Sequence, residues 1–165
     1  MGIRYYAYPV DPEHTATAAA TPELFLGQDP LSDAWGLVPI GDSIYAIDAM
    51  PRPEMLYLDK CWGLLQALTR PEEGECRPAH ILFAGYDRGG RYDYQPFLKA
   101  LSPSEVAVAA SDLATIGNED LDRLFTRASP GWIGDRNFLE QYMSRAVEFT
   151  TELRSRGWGM VYMIG

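Results

Sequence analysis

The last third of this chain narrows the fold more than any other part, because every boundary in it is punctuated. Ser102-Pro103-Ser104-Glu105 has the form of a capping box with proline at the first helical position, so a helix starts there. Val106, Ala109, Ala110 and Leu113 recur at helical spacing and form its inward face. Gly117-Asn118 ends that helix and recaps a second one, which turns Leu121, Leu124 and Phe125 inward. Asn137 and Glu140 predict a further capping box and a long third helix that stops at Arg154-Ser155-Arg156-Gly157. Its stripe of Phe138, Tyr142, Ala146, Phe149 and Leu153, widened by Leu139, Met143 and Val147, demands a sheet or several helices to cover it. The chain then closes on Trp158 to Ile164, a short run whose near-continuous apolarity predicts a strand buried on both faces. Terminal strands stay ordered when something holds them, so this one is expected to pair with a strand over residues 3–10.

The front of the chain is written less plainly. Residues 3–10 alternate and carry three tyrosines, with Pro9 expected to end the strand or keep it at an edge. Asp11 followed by Pro12 is a helix start, leading into an Ala/Thr-rich segment from His14 to Ala20 that suits either a short exposed helix or a loop. Five prolines and three glycines cut residues 21–55 into short pieces, among which Ser43 to Ala49 has weak strand alternation. Asp59 is expected to cap a helix running to Thr69, with Cys61, Leu64, Leu65 and Leu68 on one face and Trp62 at its edge. Residues 78–85 form an apolar run whose type periodicity leaves open. Together these elements predict a single α+β domain over residues 1–165: a small mixed sheet containing both terminal strands, covered by several helices.

Composition bears on partners. The chain carries 14 Lys and Arg against 23 Asp and Glu, a formal charge of −9, which repels phosphate and so argues against nucleic acid and anionic membranes. The same charge would attract a basic protein. The N-terminus lacks a basic stretch followed by an apolar one, no apolar run is long enough to span a bilayer, and a cytoplasmic location is expected. Cys61 and Cys76 match no zinc or redox spacing; Cys61 reads as a buried hydrophobe and Cys76 as an exposed thiol, with pairing between them left open.

No catalytic signature is present. The chain lacks a Gly-x-Ser-x-Gly elbow, a phosphate-binding Gly-rich loop and a His-Glu-x-x-His pair, and its carboxylate pairs are sequence neighbours rather than groups set across a cleft. No catalytic residue, metal site or cofactor is therefore assigned, and the chain reads as non-enzymatic. His14 is expected to be solvated and His80 to be half-buried packing. The segment with a recognition composition is Tyr86 to Tyr94: Tyr86, Asp87, Arg88, Arg91, Tyr92 and Tyr94 surround a Gly-Gly tip, and Tyr and Arg are enriched at protein contacts. A plain polar loop accounts for the same residues. An alternative pocket would hold at least two of Asp59, Trp62, His80, Arg88 and Tyr92 around a small molecule.

The opening Met1 to Tyr8, the segment Leu58-Asp59-Lys60-Cys61-Trp62, the helix start Leu101 to Val106 and the closing Val161-Tyr162-Met163-Ile164 resemble the YfbM-like family of small bacterial proteins. The resemblance implies one α+β domain and a bacterial cytoplasmic source, and it brings no established activity or catalytic residue. Residues 21–55 depart from the family's pattern. The expected function is a protein-binding or regulatory domain with a basic partner, by analogy an inhibitor of the immunity or antitoxin kind; the rival expectation is a small-molecule-binding domain or an enzyme with an unrecognised site.

Overall fold

A computed structural model describes residues 2–40, 43–46, 54–70, 75–85, 95–127 and 135–165. Its centre is a four-stranded sheet in the order β4-β1-β6-β5, where β1 is Tyr5–Val10, β4 is Leu56–Asp59, β5 is Phe97–Leu101 and β6 is Gly159–Ile164. The two ends of the chain lie side by side, as expected: Tyr5 stands opposite Ile164 and Val10 opposite Gly159, with an unbroken antiparallel register between. Every ladder in this sheet is antiparallel, where the sequence had suggested a mixed one. Pro9 sits inside β1 without harm because β4 pairs only with Tyr5 to Ala7 and has ended before Pro9 is reached. Both β4 and β5 are strands the sequence reading did not anticipate.

The helices pack mainly on one sheet face. They are α1 (Thr15–Ala20), α2 (Pro30–Trp35), α3 (Trp62–Thr69), α4 (Pro103–Leu113), α5 (Asn118–Arg127) and α6 (Arg136–Arg156). Tyr5, Ala7, Leu58, Met160, Tyr162 and Ile164 from the sheet meet Leu65, Val106, Leu113, Leu139, Ala146 and Leu153 from the helices in one core. Each fully buried leucine there contributes roughly 1.5–3 kcal/mol relative to exposure. The second face has its own smaller cluster, in which Val10 and Val161 meet Ala18 of α1, with Phe25, Leu26 and Ala100 packed around them. An antiparallel pair of β2 (Leu37–Ile40) and β3 (Ser43–Ala46) forms a second sheet; the strand expected over 43–49 is present over 43–46, and 47–49 lie outside the described residues.

Local signals decided some helix ends and failed at others. Ser102 and Glu105 form the predicted reciprocal capping box of α4. At α6 the expected Asn137/Glu140 box is replaced: Asp135 accepts the Phe138 amide at 2.8 Å, and Glu140 pairs with Arg136 at 2.6 Å. Asn118 is likewise inside α5, since Asp120 and Leu121 donate to the Gly117 carbonyl and Asn118 accepts from Arg136. The third expectation to fall is Asp59 as the cap of α3. The helix begins two residues later, after Cys61, and Asp59 ends β4 at φ 47. Aspartate tolerates that left-handed position, and its carboxylate accepts from Arg4 Nε at 3.0 Å across to the start of β1.

Residues Pro78–Leu82, undecided in the sequence, form a turn of 3₁₀ helix held from outside. Asp112 of α4 accepts the Ala79 amide at 3.0 Å and a forked pair of bonds from Arg77 at 3.2 and 3.0 Å. Two core tyrosines hold the other end. Tyr5 donates to Leu82 O at 2.9 Å, and Tyr162 donates to Ala84 O at 2.6 Å and Ile81 O at 3.1 Å. No helix among the described residues is long and apolar enough to cross a membrane.

Candidate functional site

Of the residues singled out by sequence, those described fall at two ends of α3. Tyr86, Asp87, Arg88, Arg91, Tyr92 and Tyr94 lie outside the described residues, so the recognition loop and two members of the alternative pocket have no structural account. Asp59 and Trp62 flank the turn into α3, where Trp62 is buried and donates its ring N–H to Ile3 O at 3.2 Å. His80 lies at the opposite end of α3, where Nδ1 meets the Thr69 hydroxyl at 3.1 Å. The length of the helix, roughly 10 Å for its span of residues, separates the two ends. Cys61 is buried and its thiol is pushed up to about 12, by burial and then by the Asp59 carboxylate, so it stays protonated and packs as a hydrophobe; Cys76 is exposed, and both are free thiols.

His80 has a consequence for stability. Burial first, and then the Arg70 and Lys99 charges, hold its imidazole below the ordinary value of 6.5. Above that pH both folded and unfolded imidazoles are neutral and the shift costs nothing. As pH falls through 6.5 the unfolded chain binds a proton that the folded chain resists, so stability falls. Urea denaturation from about pH 7 down to about pH 5.5 should show that decline, and His80→Gln should flatten it. An equally steep decline in the variant would remove His80 as its source.

A site that the sequence reading missed lies along the outer side of β4. An open groove of about 570 Å³ has Glu54, Met55, Leu56 and Tyr57 along its floor, within the volume range of natural ligand sites. One wall is the flank of α6, with Arg145, Glu148, Phe149 and Glu152; the other is Asp33 and Ala34 of α2. The spacing of the α6 residues explains the wall, since positions three and four apart share a helix side. Helix α2 forms where sequence reading saw only breakers: Asp29 accepts the Ser32 amide at 3.1 Å, Pro30 starts the helix and Gly36 stops it at φ 65.

Hydrogen bonds from the second sheet face fix α2 against the groove. Tyr8 of β1 donates to Asp33 at 2.8 Å, and burial, followed by that carboxylate, raises the Tyr8 hydroxyl far above its ordinary value. Trp35, about half exposed, reaches the Tyr57 hydroxyl; burial and the nearby Asp59 push Tyr57 up to about 12. Tyr6 and Tyr57 extend this aromatic layer, their rings 5.4 Å apart.

The charges at the groove have a definite arrangement. Arg156 bridges Glu54 at 2.9 Å and Glu152 at 2.8 Å, and its guanidinium lies 5.3 Å from the Trp158 ring centre. Arg145 instead stacks over Tyr142 at 5.1 Å. Asp33 and Glu148 have no ion pair among the described residues. No group of three His, Cys, Asp or Glu placed to hold a metal ion occurs among the described residues. Such a groove can receive a cation beside an extended backbone. Comparison of the chain with protein-family models, curated proteins and solved structures returns no match.

Proposed function

We propose that this chain is a binding domain that takes a cationic segment of a partner protein in the groove between β4 and α6. The observation carrying this reading is convergence: Asp33, Glu54, Glu148 and Glu152, from three separate parts of the chain, line one groove beside apolar Met55 and Phe149. Arg156, seated between two of those carboxylates, is an internal example of the cation the lining accepts. Kinship with YfbM-like proteins is part of the proposal and adds no activity to it. A regulatory role, in which the domain masks a basic surface of its partner, follows from the same charge pattern.

A fluorescently labelled oligo-arginine peptide serves as the first probe. Its binding, followed by anisotropy, should weaken as salt rises, and Glu148→Arg should weaken it about ten-fold. Glu148 is exposed on α6, so the melting temperature of that variant should not change. Unchanged affinity in Glu148→Arg, or binding indifferent to salt, refutes the groove as the site.

A further inference from the structure

Resting on that reading, we infer that the partner segment enters as an added β-strand along the outer edge of β4. The strand order β4-β1-β6-β5 puts β4 at the end of the sheet, and no strand among the described residues occupies its outer side. An edge strand presents a row of main-chain donors and acceptors that a guest strand can pair with. The groove meets this edge at Leu56 and Tyr57 and continues over Glu54 and Met55, the two residues that lead into the strand. Strand β4 itself is four residues long, about 13 Å at the usual rise.

Charge selects the guest. Pairing of two copies edge to edge would bring Glu54 and Glu148 of each against those of the other, within chains that each carry −9. Carboxylates there discourage self-pairing, as charged groups on exposed edges commonly do, and favour a basic strand. A guest laid on β4 would point alternate side chains towards α6 and towards α2. On the α6 wall Glu148 has no ion pair among the described residues, Glu152 is bridged by Arg156 and Arg145 stacks over Tyr142, while the α2 wall offers Asp33 and the small Ala34. Cationic residues alternating with small or β-branched ones meet both walls.

The test uses the whole chain and a short acetylated peptide alternating arginine and valine, with two derivatives. One carries N-methyl groups on the arginine amides, the other on the valine amides. In a strand, alternate amides point to the same side, so one derivative should lose about ten-fold or more in affinity while the other matches the parent peptide. If neither derivative is weaker, or both are weakened equally, strand addition is wrong although the groove still binds a cationic segment. If the parent peptide does not bind at all, the groove reading fails with it. Concentration-dependent dimerisation that the parent peptide reverses would make a second copy the occupant and overturn the basic-partner assignment.

Discussion

Gly159→Ala is expected to cost about 3 kcal/mol, near the top of the range for overpacking, and to lower the melting temperature by about 6–12 °C. The added methyl carbon would stand 2.4 Å from the Leu101 carbonyl oxygen and 3.5 Å from Pro103 Cδ. The obstacle is main chain at the junction of β5 and α4, and Ser102 and Glu105 hold that junction in a capping box. It cannot rotate away as a side chain could, so β5 must separate from β6 or α4 must shift. Circular dichroism against temperature measures the loss. Gly117→Ala is the control, since a methyl there meets nothing within 4 Å and should cost about 1 kcal/mol at most. A drop in Gly159→Ala no larger than the control's would show that the two strands part without penalty.

The second large effect is expected from removing two hydroxyls. Tyr5 and Tyr162 are fully buried, their rings stacked with centres 5.3 Å apart, and together they satisfy the carbonyls of Leu82, Ala84 and Ile81. Tyr5→Phe or Tyr162→Phe alone keeps the ring and strands a carbonyl, costing about 1–3 kcal/mol. The double variant should lose roughly 2–5 kcal/mol, with departure from additivity because the rings touch. The first amides to lose hydrogen-exchange protection should lie in residues 78–85, since the hydroxyls hold that segment to the sheet. Uniform loss of protection across the sheet, with residues 78–85 no worse than the rest, would mean these bonds do not secure the segment.

Legibility followed the range of the signal. Helix α4 could be read because its start, Ser102 to Glu105, is complete within four consecutive residues. The shift from Asn137 to Asp135 at α6 shows the limit of such reading, since two acceptors stand within reach of one helix start. Strand β4 was hidden because Asp59 looks like a cap for the apolar stripe that follows. Its carboxylate goes instead to Arg4, a partner 55 positions away. Strand β5 has weak alternation of its own and exists through its pairing with β6. The groove was invisible for the same reason. Asp33, Glu54 and Glu148 carry no common spacing, and helix α2 was obscured by the prolines around it.

Local order alone therefore settled the closing helices and the two terminal strands, because caps, stop residues and apolar period act within a turn or two of chain. Tertiary structure decided which strands sit at the sheet's edges, how the segment 78–85 is held, and which carboxylates share a wall. Those outcomes depend on atoms brought together from remote positions, where a buried polar group takes whichever partner the packing presents and sequence distance imposes no rule.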